Sequence, residues 1–386
     1  MQLKYCKKCV MPNTRPGLTF NKEGVCSGCE GAREKKEVIN WEERRRELES
    51  ILDKFRSKNR KNYDCIVPVS GGKDSIYQLH MVKNELKMNP ICITFRTDAR
   101  TKLGEHNIQA LREMGVDHID FTPNPVAFRK LRLKTFREVG DCSLPDHLCI
   151  WSIIPIFAIR LGISVVFWGE NSDMEYGGNR NLRFIANLNR RWLRNQDILK
   201  GRRIEDWCDD QIKLEDLKSC IYPSEEELNK ISYTPLFLGY YMPWDAKKNL
   251  DVAKKYGFSV RKKGPIMGLY DYADLDCMYI VIHHYFKWLK FGFNRVTDNA
   301  CNEIRKGRMT REEAIGLVRE RDGIKPPKEY IDHFCRSVGI TLDEFWATAE
   351  RFRNPNIWKK DENSEWYIDG WIGGNKIPDR FPFEPS

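Results

Sequence analysis

At 386 residues with 41% hydrophobic content, the chain is longer than one core ordinarily holds, and two or three domains are expected. No apolar run approaches the ~18 residues of a membrane span, and Met1-Gln2-Leu3-Lys4-Tyr5-Cys6 carries no apolar signal segment, so the 13 cysteines are expected as reduced thiols in a cytoplasmic protein, not as a disulfide framework. The formal net charge of +10 suits nucleic acid or an acidic small substrate such as ATP with a sugar nucleotide or sugar acid, and charge alone does not choose between them.

Cys6-x2-Cys9 and Cys26-x2-Cys29 come first, with 16 residues between the pairs. Four thiolates in two close pairs are the donor set of tetrahedral structural zinc, and apolar residues are scarce around them, so a metal would supply what a core cannot. An iron–sulfur cluster or chance pairs of free cysteines are the alternatives. Residues 1–40 are thus expected to be a zinc-binding module with Cys6, Cys9, Cys26 and Cys29 as ligands and no catalytic role. The following segment, to about residue 62, is highly charged. Trp41, Leu48, Ile51, Leu52 and Phe55 fall at roughly helical spacing and predict a solvated helical linker over 41–62, with Arg44-Arg45-Arg46 on an exposed face.

Tyr63-Asp64-Cys65-Ile66-Val67-Pro68-Val69 reads as a buried strand, and apolar residues recur at helical spacing over 76–83. Between them stands Ser70-Gly71-Gly72-Lys73-Asp74-Ser75. Two glycines on a strand-to-helix turn let the backbone approach an anion, and the free N–H groups of the helix behind point at it. Ser70 and Ser75 add hydroxyl donors, Lys73 a positive charge and Asp74 a magnesium ligand. The spacing is not that of a Walker A loop. The hexapeptide resembles the PP-loop of the ATP pyrophosphatases, which cleave ATP between the α and β phosphates. That resemblance implies a nucleotide domain over 63–180 with Ser70, Gly71, Gly72, Lys73, Asp74 and Ser75 on ATP.

Strand and helix then alternate. Residues 90–95, 116–122 and 163–168 predict strands, and 105–114, 125–139 and 149–161 predict helices. This is an α/β pattern with a parallel sheet covered on both faces. Ligands bind outside the carboxyl ends of such strands, so residues 95–99, with Phe95, and Gly169-Glu170-Asn171 are expected to face the nucleotide beside the loop at Ser70. Glu170 is the preferred magnesium ligand and Asp173 the second, with capping of a turn as the other reading. Residues 140–149 read as a polar break from which Asp141, Asp146 and His147 could meet substrate. Cys142 and Cys149 are poorly spaced for a metal knuckle. Tyr176-Gly177-Gly178-Asn179 reads as a flexible active-site loop.

Residues 181–245 read as a polar, helical insertion ending in an aromatic stretch over 233–244 that either walls a substrate cleft or is core. Residues 246–386 read as a helical C-terminal domain. It holds a helix over 245–256 stopped by Gly257, a largely buried helix over 274–290, one over 297–306, one opening on the capping box Thr310-Arg311-Glu312-Glu313, one over 342–352, and an irregular tail over 379–386. His283 and His284 are adjacent, so at most one of them points into a site.

A closer resemblance rests on Tyr5-Cys6-Lys7-Lys8-Cys9-Val10-Met11-Pro12-Asn13-Thr14-Arg15-Pro16-Gly17, the second cysteine pair, the run from Tyr63 into Ser75, and Gly115-Val116-Asp117-His118-Ile119. Phe121-Thr122-Pro123-Asn124-Pro125, Gly169-Glu170 and Gly307-Arg308-Met309-Thr310-Arg311-Glu312-Glu313 continue it. These residues are similar to the N-acetyl sugar amidotransferases of surface-polysaccharide and flagellin-sugar biosynthesis, over nearly the whole chain. Some branches carry Cys-x2-Cys-His where this chain has 142–149. Its absence, and residues 170–178, look more like the pseudaminic-acid branch. The resemblance implies an enzyme that adenylates the N-acetyl oxygen of a sugar and displaces AMP with ammonia, leaving an acetamidino group. Lys73, Asp74 and Glu170 would be catalytic, Phe95 and Gly169 would join the hexapeptide on ATP, Asp74 and Glu170 would hold Mg2+, and zinc would sit on the cysteines. A separate glutaminase subunit is expected to supply ammonia, since the chain shows neither an N-terminal cysteine nucleophile nor a Gly-x-Cys-x-Gly elbow. Two other readings stand beside this one. A PP-loop tRNA-thiolating enzyme fits the basic charge and zinc module, but no further Cys-x2-Cys pair follows Cys29. A non-catalytic nucleotide-binding regulator would bind ATP without turnover.

Overall fold

The structure, a computed structural model, describes residues 3–56, 62–179, 182, 184–188, 190–195 and 199–374. The tail expected to be irregular lies outside them, as do parts of the expected insertion. The N-terminal segment folds back through bridges Tyr5–Pro12 and Phe20–Cys26 and leads into α1 (Ser27–Glu37) and α2 (Trp41–Leu52). The helix expected over 41–62 is α2, which is shorter and which Asn40 starts by accepting a hydrogen bond from the Glu43 N–H. The linker is not wholly solvated either: Leu48 and Leu52 are fully buried in the core beneath the sheet.

The alternating pattern then unfolds as β1 (Cys65–Pro68), α3 (Lys73–His80), β2 (Pro90–Phe95), α4 (Lys102–Arg112), β3 (Asp117–Phe121), α5 (Pro125–Val139), α6 (Leu144–Leu161) and β4 (Val165–Trp168). α3 continues into a π-helical turn over Met81–Glu85. α5 ends where Gly140 takes the left-handed conformation, φ +59°, and a Cβ there would strike the Phe352 ring at 2.6 Å. The polar break expected over 140–149 is shorter than that. Pro145, in the first turn, is compatible with a helix start, so α6 begins at Leu144 and carries Asp146, His147 and Cys149. By length and composition α6 is apolar enough to cross a membrane, with mean hydropathy 1.4, which corrects the expectation that no run approaches that length. Here it is a core helix packed on β1, β2 and β4.

Beyond β4 come α7 (Arg190–Asn195), α8 (Glu225–Lys230), β5 (Thr234–Phe237), α9 (Leu238–Tyr241) and α10 (Ala246–Lys254). The aromatic stretch over 233–244 therefore supplies a fifth strand. All five strands are parallel, in the order β3-β2-β1-β4-β5. Successive side chains alternate between the two faces, as the strand period requires: Cys65, Val67, Val165, Phe167 and Leu236 enter one core, and Ile66, Val166, Trp168 and Phe237 the other. The strand order reverses between β1 and β4, and the crevice at their carboxyl ends is where an open α/β sheet takes its ligand.

The C-terminal region holds α11 (Tyr279–Phe291), α12 (Arg295–Arg305), α13 (Arg311–Arg321), α14 (Lys328–Val338), α15 (Leu342–Arg351) and an antiparallel pair, β6 (Trp358–Lys360) with β7 (Trp366–Ile368). The sequence reading did not include α14 or the β-pair. Thr310 and Glu313 form the expected capping box at the start of α13. The cysteine-bearing segment does not stand apart. Cys6, Cys9, Val10, Met11 and Cys26 are fully buried in one core with residues of α11, α12 and α13.

Candidate functional site

β1 delivers the chain to Ser70 at the carboxyl edge of the sheet, and α3 begins at Lys73. Gly71 has φ +80°, and a Cβ there would come within 2.9 Å of Ile108, so both conformation and space call for glycine. The loop is braced from within. The Ser70 N–H donates to Ser75 Oγ at 2.9 Å, the two hydroxyls are 3.2 Å apart, and the Gly72 N–H donates to Ser70 Oγ at 3.3 Å. Gly72 caps α3 with no side-chain hydrogen bond, so the first-turn N–H groups are presented as the sequence predicts for an anion. Lys73 is buried, with Nζ 2.6 Å from Asp74 Oδ2 and 5.4 Å from the centre of the Tyr272 ring. Asn249 of α10 donates to Asp74 Oδ1 at 2.8 Å. Neither Asn249 nor Tyr272 was legible in the sequence, since each lies more than a hundred residues from the loop in a stretch without a motif.

Glu170 follows β4. Gly169 accepts a hydrogen bond from the Gly239 N–H at 3.0 Å, and a Cβ on it would crowd Gln78 and Trp244, so glycine allows the chain to turn there. Burial pushes the Glu170 carboxyl up to about 7, and the carboxylates of Asp74 and Glu175 push the same way against Lys73. Two mutually repelling carboxylates beside the Ser70–Ser75 loop are a hard-oxygen donor set of the chemistry that magnesium takes, so Asp74 and Glu170 fit the expected Mg2+. Asp173, the second magnesium candidate, lies three residues further along the same loop. It accepts from the Asn179 N–H at 3.1 Å and so braces its own loop.

A cleft of about 310 Å³ opens beside Ser70 and Ser75, with Val69, Phe95, Ile150, Ile153 and Trp168 as an apolar wall and Ser143, Asp146, His147 and Asp276 as polar groups. Asp146 is held by Arg132, which is fully buried and contacts both carboxylate oxygens at 2.7 and 3.0 Å. Asp141 takes the His283 ring instead, Nδ1 to Oδ1 3.1 Å, and His147 meets His283 edge-on at 5.6 Å. Burial and the His283 ring hold His147 down to about 4, so its imidazole is neutral at neutral pH. His284 faces away, toward Asp274. The Cys142 thiol is buried and bonds the Tyr279 carbonyl, and Cys149 is fully buried within α6; neither joins a cluster of candidate metal ligands among the described residues.

The four N-terminal cysteines converge. Their sulfurs lie within 4.8 Å of one another, with Cys6–Cys29 at 3.9 Å and Cys9–Cys26 at 3.7 Å. A zinc tetrahedron with Zn–S of about 2.3 Å separates its sulfurs by about 3.8 Å. Backbone N–H groups of Lys8, Cys9 and Cys26 point at Cys6 Sγ, and that of Cys29 at Cys26 Sγ, all at 3.3–3.5 Å. Arg305 brings a positive charge, Nη2 to Cys26 Sγ 3.7 Å. Donor set, spacing and compensating charges fit zinc held by four thiolates.

Residues 252–370, about a third of the chain, match the family model described as "LPS biosynthesis protein WbpG-like, C-terminal domain". Among curated proteins, an uncharacterized protein of Methanocaldococcus jannaschii is 33% identical over 89 residues, which is 23% of this chain and 31% of that protein, so the match spans less than a third of the relative's length. Among solved structures, NMN synthetase from Francisella tularensis aligns over 56% of this chain and 93% of its own, with 13% identity and a TM-score of 0.26; a score that low carries no argument about fold or chemistry. The C-terminal region, from α11 to the β6–β7 pair, is thus similar to a domain named for lipopolysaccharide biosynthesis, and it is joined to a five-stranded parallel sheet and a four-cysteine cluster that could bind zinc.

Proposed function

We propose that this chain is an ATP-dependent amidotransferase that converts the acetamido group of a sugar into an acetamidino group in surface-glycan biosynthesis. The observation that carries the reading is the meeting, at the switch point of one parallel sheet, of the Ser70–Ser75 loop with Glu170. The similarity of residues 252–370 to a lipopolysaccharide-biosynthesis domain supports a sugar as the substrate class. Within that class, the pseudaminic-acid branch rests on the resemblance of residues 170–178.

An acetamide carbon is a poor electrophile and its oxygen a poor leaving group. In this mechanism that oxygen attacks the α-phosphorus of ATP, a P–O bond forms, the bond to the bridging α–β oxygen breaks, and pyrophosphate departs. Lys73 and the first-turn N–H groups of α3 bind the departing charge, and Asp74 and Glu170 would hold a magnesium ion, which would offset charge on the polyphosphate. Ammonia then adds to the activated carbon, AMP leaves with the former acetyl oxygen, and the amidine remains, protonated as the amidinium near neutral pH. The apolar wall around Phe95 and Trp168 suits a base or sugar ring, and keeps water from the adenylate. A separate glutaminase subunit supplies ammonia in this reading.

The test is to incubate the full chain with candidate N-acetyl sugars, ATP, magnesium and ammonium, then to separate the nucleotides and weigh the sugar. The expected products are AMP, pyrophosphate and a sugar in which NH has replaced oxygen. Lys73→Ala should lower turnover on the order of 10² or more, as loss of a charge-stabilising group does elsewhere. Glutamine should not replace ammonium for the chain alone. Substrate-dependent ADP would overturn the mechanism, and sulfur incorporated into RNA in place of nitrogen into sugar would favour the thiolating alternative.

A further inference from the structure

The cysteine cluster and the loop that carries Glu170 lie against each other. α1 starts at the second cysteine pair, with Cys26 as its N-cap, and its first residues lie on the loop. Ser27 Oγ donates to the Gly178 carbonyl at 3.2 Å, and Lys35 pairs with Glu175. The backbones cross at two glycines. A Cβ on Gly177 would be 2.6 Å from Gly28 Cα, and one on Gly28 would be 3.0 Å from the Tyr176 carbonyl oxygen. From the other side, Arg15 Nε donates to the Gly177 carbonyl at 3.0 Å.

Arg305, on α12, spans the two. Its Nη2 points at Cys26 Sγ at 3.7 Å, while Nη1 reaches the carbonyls of Glu175 at 3.1 Å and Tyr176 at 3.2 Å, and Asn302 Oδ1 at 3.3 Å. A guanidinium presents its donors as a rigid planar fork, so where it sits against the thiolate decides where those two carbonyls are held. Four thiolates around one zinc carry a net negative charge, and hydrogen bonds to a charged acceptor are about twice as strong as neutral ones. Without the metal, Cys26 Sγ loses the bond that fixes its position, and the anchor for Arg305 is looser.

We propose that Arg305 is a positioning residue that transmits the state of the four-cysteine cluster to the loop after β4, so that metal loading of the cluster and magnesium affinity at Asp74 and Glu170 are coupled. The magnesium half of this rests on the functional reading above; the placement of the loop does not.

The full chain and its Arg305→Met and Arg305→Lys variants test it by three measurements: cluster metal by atomic emission, amide hydrogen exchange, and the magnesium dependence of AMP formation. In Arg305→Met the cluster metal should stay, the amides of residues 171–179 should exchange about tenfold faster, the loss of roughly one charge-assisted bond, and α3 should be unaffected. The magnesium needed for half-maximal rate should rise while the rate at saturating magnesium is little changed, a split that general destabilisation would not give. Arg305→Lys should fall between. Mild chelation of the wild type should also speed exchange over residues 171–179 and leave α3 unaffected, beside loosening of the C-terminal core. Unchanged exchange over 171–179 with the metal retained overturns the proposal, as does faster exchange with no change in magnesium requirement. Should Arg305→Met lose its metal, Arg305→Lys decides by the same two criteria, since it keeps the charge beside Cys26 and removes the planar fork. If the wild type forms no AMP, the functional reading fails by that result, and exchange alone judges the positioning role.

Discussion

Asp322 is fully buried, with Oδ2 accepting from the Thr297 hydroxyl and the Asn294 N–H and Oδ1 unpartnered. Burial pushes its carboxyl up to about 6, against those two donors. Its folded pKa lies above its unfolded one, so the native state binds the proton more tightly. Its contribution is fully present below the unfolded pKa and is lost as pH rises through about 6. Asp322→Asn removes that loss. Relative to the wild type, the variant should gain on the order of 3 kcal/mol between about pH 4 and about pH 8, the equivalent of roughly two pKa units. Urea unfolding of both proteins at the two pH values checks this, and an unchanged difference would refute it. No sequence signal marks Asp322, because its cost arises from what surrounds it. Ser70 through Ser75 are the opposite case. Their bracing bonds join residues at most five apart, so the loop was legible as a string of letters. Glu170 was reached only by reasoning that strand ends face the ligand, and the residues that hold its neighbour Asp74 were not reached at all.

At the scale of elements, hydrophobic period found four strands of the sheet and most helices, and it failed where tertiary contacts set the element. β2 and α5 have the bounds the sequence predicts. β5 hid inside an aromatic stretch because four residues do not distinguish a buried strand from core. α5 is amphipathic for a reason visible only in three dimensions. Its Phe136 is fully buried with ring centres 5.2 Å from Phe286, 4.8 Å from Phe334 and 5.5 Å from Phe345, on α11, α14 and α15. One side chain of the sheet-covering layer is thus a core residue of the C-terminal helices. Phe136→Ala should cost about 3–5 kcal/mol, the range for emptying such an aromatic site. Denaturant unfolding gives the number, and a loss under about 1 kcal/mol would mean the cluster closes over the gap.

For the whole molecule, the unexpected relation is between the N-terminal cysteines and the C-terminal helices. Cys6, Cys9 and Cys26 share a core with Trp288 of α11, Ala300 of α12 and Val318 of α13, and Arg311 donates to the Cys9 carbonyl at 3.2 Å. Cys26→Ser should therefore lower metal content and the melting temperature of the C-terminal region together, not merely loosen a local knuckle. Atomic emission and calorimetry on the same preparation test this; metal lost with melting unchanged, or iron as the native metal, would refute it. The sequence by itself determined what adjacent residues decide: the glycine turn from Ser70 to Ser75 between strand and helix, the two cysteine pairs as one four-ligand set, the capping box at Thr310 and the alternation that implies a parallel sheet. Each of these is set by φ/ψ preference, ligand chemistry or hydrophobic period within a few residues. Only the tertiary structure decided that Asn249 holds Asp74, that Arg305 bridges the cysteines to the Glu170 loop, and that the cysteine segment is buried under α11 to α13. Those relations join residues from 130 to more than 300 positions apart in the chain. At such separations no local pattern records which surfaces meet, because the meeting depends on how every intervening element buries its apolar face.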